Sequence, residues 1–398
     1  MKAANSKLIQ GIKNIVRICQ KEIDIILHDE GVLIFCVLVP LFYPLLYSMI
    51  YQTETIHEVP VTVIDDSKTA LSRTFVRKFD ASSWVKVIGY SDNVEDAKEQ
   101  IKRQNTYGFI KIPEDFSDRI VRGEQAFVGM YGDMSGMLYY KGILIAATDV
   151  SLDMNEKIKI ERIPGMTKSD DEIITYPVTN KDVALFNTQQ GFAVFLIPAV
   201  LMLIIQQTLL LGIGMADGTA AERGEYTRIL TYGRRFRGLL DVILGRTLAY
   251  CLLYAITTAY MLCIVPRFFG ITQIGQGTTI LAFVIPYILD CIFFAQTMAV
   301  LIRNREISIL VFVVTSLPIL FISGISWPGV SVPAFWKGIS CLLPTTFGIN
   351  GFVRINTMGA TLQQVLYEWG MLWVQAIAYF LILYFRLHRD VKRLISEE

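Results

Sequence analysis

Asp290 is the side chain in this sequence with the most demanding chemistry. It sits inside the apolar run from Thr278 to Ile302, where an ionised carboxylate is costly. Such a residue either carries a proton as part of a proton or substrate path, or makes a hydrogen bond to a neighbouring helix. The second is the commoner use. Gln206, Gln207 and Gln296 stand in similar apolar runs and are expected to join helices in the same way. A different chemistry is carried by Glu222, Arg223, Gly224, Glu225 and Arg228, which crowd a short polar turn. Alternating charges suit a surface that docks on a soluble partner and releases it; they also suit an ordinary solvated loop.

Other chemistries find no residues to carry them. His28, His57 and His388 form no cluster, and Cys19, Cys36, Cys251, Cys263, Cys291 and Cys341 show neither metal-ligand nor CxxC spacing. They read as packing cysteines. The sequence holds no G-x-x-x-x-G-K-[ST] phosphate loop and no Gly-Lys pair at all, which excludes ATP binding in the P-loop manner. The Ser, Asp and His of the polar block at 52–188 are not organised as a catalytic constellation. The chain is therefore not expected to be an enzyme or to bind a cofactor or metal, and with a net charge of +1 it is not expected to bind nucleic acid.

The elements that position these residues follow from hydropathy. The composition, 53% hydrophobic and 18% charged, is too apolar for a soluble chain. Six runs are long enough to cross a bilayer: Val32 to Tyr51, Phe192 to Met215, Leu239 to Val265, Thr278 to Ile302, Ile307 to Ser326 and Gly370 to Phe385. Cations gather at Lys7, Lys13, Arg17 and Lys21, then from Arg223 to Arg237, at Arg303 and Arg305, and from Arg386 to Arg393. These clusters alternate with the runs, so the positive-inside rule places them, and both termini, in the cytoplasm. The first run starts late and no small-residue cleavage pattern follows it, so it reads as an uncleaved helix, bent by Pro40 and Pro44.

Ahead of that helix, residues 1–30 repeat apolar side chains (Leu8, Ile9, Ile12, Ile15, Val16, Cys19, Ile23, Ile26, Leu27) at helical spacing, with cations on other faces. This predicts an amphipathic helix lying on the inner membrane surface. The block at 52–188 alternates strand and helix signals. Strands are expected at Val59 to Ile64, Trp84 to Tyr90, Tyr107 to Ile112 and Phe127 to Tyr131, with a returning strand at Ile173 to Val178. Helices are expected at Ala70 to Phe79, from an Asp92–Glu95 capping box to Gln104, at Pro113 to Val121, and from Leu138 to Ile160. Flanking spans put this block outside. Residues 216–238 form a cytoplasmic loop, and the Pro- and Gly-broken but apolar stretch 327–352 reads as a re-entrant hairpin at the outer mouth.

Several segments together resemble the ABC-2-type transporter permeases, in particular those with a large external domain after the first helix. Lys21-Glu22 through Asp29-Glu30 and on to Pro40 resembles the family's charged entry to its first helix. The run from Tyr107 to Ser117 resembles a "G-hydrophobic-x-I-P-x-x-F-S" piece of its external domain, and Phe186-Asn187 with Gly191 and Pro198 resembles the entry to its second helix. Ala221 to Glu225 followed by Arg228-Ile229-Leu230 is similar to its cytoplasmic segment after that helix, although Gly224 stands where a Glu is usual. Ser323-Gly324, Trp327-Pro328, Pro333, Pro344-Thr345 and Arg354 are similar to its hallmark region between the fifth and sixth helices.

The fold class this implies is an α-helical integral membrane protein with six transmembrane helices, an inserted extracytoplasmic α/β domain and an amphipathic N-terminal interfacial helix. The activity it implies is outward transport across a bacterial cytoplasmic (inner) membrane, powered by a separate ABC ATP-binding subunit that holds ATP and Mg. The partners it implies are that subunit, a second permease in a homodimer or heterodimer, the lipid bilayer and an extracytoplasmic adaptor protein. The Glu222–Arg228 turn would then couple to the ATPase, and the Ser323–Arg354 region would form the outer hairpin. Two other classes stay open: a non-transporting receptor or scaffold that uses the polar domain to bind a partner, and a secondary transporter driven through Asp290.

Overall fold

The computed structural model describes residues 2–51, 56–162, 185–186, 191–224, 236–324 and 329–397. The chain divides into two compact units, one formed by Met1–Glu54 with Ala184–Glu398, the other by Thr55–Val183.

The first unit is helical. Among the described residues, helix α1 (Lys2–His28) precedes six helices long and apolar enough to cross a membrane: α2 (Glu30–Ile50), α7 (Phe192–Glu222, apolar from Leu196), α8 (Gly238–Phe268), α9 (Gly277–Leu301), α10 (Arg305–Ile322) and α13 (Leu366–Glu397, apolar to Arg393). They are called the first to sixth spans. The second span is the hub: 89% of its apolar window is buried, against 22% for the first and 17% for the fifth. It packs against the first, fourth and fifth spans. Helix α1 packs along the third span, burying Cys19, Glu22 and Ile26 while Ile12, Val16 and Leu27 stay exposed. An exposed apolar stripe on a charged helix is what an interfacial helix presents to lipid.

The prolines inside these helices explain two side-chain bonds. Proline has no N–H, so the carbonyl four residues earlier loses its donor, and in an apolar setting that loss must be made good. Pro286 in the fourth span frees the Ala282 carbonyl, which accepts from Trp369 Nε1 at 3.1 Å. Pro266 frees the Leu262 carbonyl, which accepts from Gln273 Nε2 at 2.9 Å. Wider π-helical turns precede Pro40 (Ile34–Leu38) and Pro266 (Tyr260–Ile264). The bend expected at Pro40 thus takes the form of one widened turn.

The second unit is an α/β fold. Four strands, β1 (Val59–Asp65), β2 (Val85–Tyr90), β3 (Gly108–Ile112) and β4 (Gly129–Gly132), form one sheet in the order β2-β1-β3-β4. β1 runs parallel to β2 and β3, and β4 runs antiparallel to β3. Helices α3 (Ala70–Asp80), α4 (Val94–Lys102), α5 (Phe116–Arg122) and α6 (Met137–Arg162) alternate with the strands. The central strand β1 is apolar nearly throughout because helices cover both faces of the sheet: Val59, Val61 and Val63 meet Phe75, Phe79 and Ile143, while Ile64 meets Ala97 and Phe109. Helix α4 begins one residue later than the Asp92–Glu95 box implies. Asn93 is its cap, its side-chain oxygen accepting the Asp96 N–H at 2.7 Å, and Asp92 lies outside the helix. The strand expected at Ile173 to Val178 lies outside the described residues.

Candidate functional site

At the Arg-rich end of the spans, three guanidinium groups join helices far apart in sequence. Arg246 of the third span donates to Glu22 Oε1 of α1 at 3.0 Å and makes a two-pronged pair with Asp217 of the second span. Tyr250 Oη also donates to Glu22 Oε1, at 3.2 Å, and all four side chains are buried. One cation thus serves two buried carboxylates. Arg305, at the start of the fifth span, donates to both Asp29 oxygens at 2.7 and 2.9 Å and to Thr219 Oγ1 at 2.7 Å. Burial opposes ionisation of Asp29, but the Arg305 guanidinium and the Val32 and Gly31 N–H groups outweigh it and hold the carboxyl below its ordinary range. The third pair, Arg303 with Asp390, ties the turn between the fourth and fifth spans to the sixth.

Of the residues expected to face a soluble partner, Glu222 is engaged within the bundle. It accepts the Arg305 backbone N–H at 3.0 Å, which caps the first turn of the fifth span from the end of the second. The two backbones approach closely there: a Cβ on Gly218 would come within 2.6 Å of the Arg305 nitrogen. Arg223 and Gly224 are exposed just beyond; Glu225 and Arg228 lie outside the described residues. Between these ends opens a polar recess of about 430 Å³, lined by Asp24, His28, Asp29, Thr219, Arg223 and Arg305.

At the opposite end, the broken stretch after the fifth span is two helices, α11 (Ala334–Ser340) and α12 (Pro344–Met358). The fifth span stops where Gly324 adopts φ +90°, a left-handed conformation that favours glycine. Ser323 closes the same turn, its hydroxyl donating to the Leu320 carbonyl at 2.6 Å and its carbonyl accepting from Asn350 at 3.3 Å. Helix α12 opens with Pro344 in its first turn and is buried against the second and fourth spans. Its cap comes from elsewhere: Gln206 Oε1 of the second span accepts the Thr345 N–H at 2.8 Å. Nothing in the sequence near Thr345 signals that bond. Arg354 is fixed to the start of the sixth span, donating to Glu368 at 2.8 Å and to the Gln364 carbonyl at 2.7 Å. Trp327 and Pro328 lie outside the described residues.

In the apolar middle, Gln296 bonds the Thr247 hydroxyl at 3.4 Å, joining the fourth and third spans as expected of it. Asp290 does not bond a neighbouring helix. It is fully buried, and among the described residues neither carboxylate oxygen has a hydrogen-bond partner or a cation within 4.0 Å. A lone carboxylate ion is costly in such a place. Gln207 is likewise buried with both amide atoms unpartnered, and it lines a groove of about 330 Å³ between the first, second and fifth spans. Tyr43, Tyr47, Thr208, Phe312 and Ser316 complete a wall that is mainly apolar with a few polar points, the usual make-up of a small-molecule site.

Among the described residues no cluster of three or more His, Cys, Asp or Glu could hold a metal. A search of curated proteins finds no match. The family model for ABC-2 family transporter proteins matches residues 31–385, from the entry to the first span to the end of the sixth apolar run. The same interval holds the Arg305 clamp, the groove at Gln207 and helix α12, and over that length the chain belongs to the ABC-2 transporter family.

Proposed function

We propose that this membrane permease subunit of an ABC transporter works as an exporter. On this reading two permeases pair, a separate ATPase docks at the Arg-rich end, and an amphiphile leaves between the pair. One observation carries it: the spans that frame the Gln207 groove are the same three, first, second and fifth, that Arg305 ties together beside the Glu222 turn. A push on the recess at Asp29, Arg223 and Arg305 therefore reaches the groove walls through ionic and hydrogen bonds. The low burial of the first and fifth spans favours a second permease covering them. The Arg-rich end is cytoplasmic by the positive-inside rule, which puts the α/β unit outside and suits it to an adaptor or to guiding the exported molecule.

Co-reconstitution with a Walker-motif ATPase that co-purifies with it is expected to give ATP-dependent efflux of an amphiphilic dye. Gln207→Leu should leave the complex assembled and slow efflux about tenfold, as expected when one polar contact to a passing molecule is lost. A chain that never associates with an ATPase, and that tolerates changes at Glu222 and Arg223 without phenotype, would instead be a receptor or scaffold. The proton-driven reading rests on Asp290 alone. Asp290→Asn keeps the shape of a neutral acid, so ATP-driven efflux is expected to continue unchanged; abolished efflux in this variant, with the complex intact, would favour coupling to protons.

A further inference from the structure

A second cavity, of about 580 Å³, lies between the third and fourth spans. Its long wall is apolar, formed by Ala255, Ala259 and Leu262 on one side and Leu281, Val284 and Ile288 on the other. From Ile280 to Ile288 this wall runs about 12 Å along the fourth span. One end is polar, where Arg267, Gln273, Gly275 and Gly277 meet.

That end is built by the bend at Pro266. Gln273 is drawn back to the freed Leu262 carbonyl, and the N–H groups of Ile274 and Gly275 both donate to the Asn356 carbonyl, at 2.9 and 3.3 Å. A Cβ on Gly275 would come within 2.6 Å of the Ile355 carbonyl oxygen, so the connection is pressed against helix α12. The polar end is thus held in place on two sides.

Two independent features make it attractive to an anion. The Arg267 side chain is exposed and, among the described residues, its guanidinium has neither an ion pair nor a hydrogen bond. The fourth span begins at Gly277 with no side-chain cap from Gln276 and no acidic residue in its first turn, so its leading N–H groups keep their partial positive charge. The space over Gly277 is open, with no atom within 4 Å of where a Cβ would stand. No Asp or Glu occurs between Pro266 and Leu289, and among the described residues none lines the cavity, so the described lining offers nothing to pair with an ammonium group.

We propose that this groove holds one anionic phospholipid from the surrounding bilayer, its phosphate between Arg267 and the first turn of the fourth span, and one acyl chain along the wall from Ala255 to Ile288. The cavity volume falls in the range of small-molecule sites, and the apolar wall with a single cationic end matches the amphiphile in both parts. The site is separate from the Gln207 groove and does not depend on the direction of transport.

Native mass spectrometry of the detergent-purified full chain, titrated with phosphatidylglycerol or phosphatidylcholine of identical acyl chains, tests the assignment. One phosphatidylglycerol per chain is expected to bind in preference to phosphatidylcholine. Arg267→Gln should weaken phosphatidylglycerol about tenfold and erase the preference, the usual loss for one charge-assisted bond, while Arg267→Lys retains it. Leu281→Trp fills the groove from an exposed position and should weaken both lipids without unfolding the chain. Equal binding of the two lipids, or an unchanged preference in Arg267→Gln, would overturn the assignment. Displacement of phosphatidylglycerol by inorganic phosphate at millimolar concentration would also overturn it, by showing that the end takes a free anion with no use for the acyl groove.

Discussion

Arg246→Met is expected to be the most damaging single change in the membrane unit, lowering stability by about 3–5 kcal/mol, because it strands two buried carboxylates. Glu22 and Asp217 both depend on this guanidinium, and Tyr250 can satisfy only one oxygen of one of them. The loss should appear as a lower midpoint of thermal unfolding in detergent, together with detachment of α1, read as faster proteolysis before residue 29. Adding Glu22→Gln and Asp217→Asn to the same chain removes the stranded charges and should recover much of the loss. If Arg246→Met unfolds at the parent temperature, the trio does not hold α1 to the second and third spans.

Arg305→Lys is expected to cut transport severely while leaving the fold and the ATPase contact in place. An ammonium cannot reproduce the forked bonds to both Asp29 oxygens together with the bond to Thr219. The backbone bond to Glu222 survives, so the second and fifth spans stay joined while the first is released. The signature is ATP hydrolysis that continues without transport. The clamp also carries a pH dependence. The Asp29 carboxyl titrates lower when folded than when unfolded, so its contribution is complete above the ordinary aspartate range, near about 3.9, and is lost as pH falls through the lower folded value. The parent should therefore lose stability in acid more steeply than Asp29→Asn. Parallel acid curves for the two would remove Asp29 from the clamp.

Much of this architecture was legible in the sequence because its signals are local. Apolar runs of bilayer length, strands separated by capped helices and glycine or proline at helix ends each declare themselves within a few residues. Among the described residues a helix long and apolar enough to cross a membrane overlaps each expected run, the second continuing to Glu222 past Met215 and the sixth to Arg393 past Phe385, and the strands from Val59 to Tyr131 form in the expected order. The site was less legible. Glu22 and Arg246 are 224 residues apart, and Asp29 and Arg305 are 276 apart; only helix packing brings them together. Glu222 was readable as a charged turn residue, but its bond to the start of the fifth span was not. Gln206 was readable as a polar group joining helices, yet its partner is a backbone amide, which no side-chain pattern reveals. Asp290 departs from the expected helix-to-helix bond for the opposite reason: among the described residues it meets no donor.

The bonds from Trp369 to Ala282 and from Gln273 to Leu262 set how the bundle can change shape. A proline left unanswered would act as a joint, but each of these bends is latched by a side chain from another segment. Hinging at either proline would therefore break a side-chain bond as well as bend a helix.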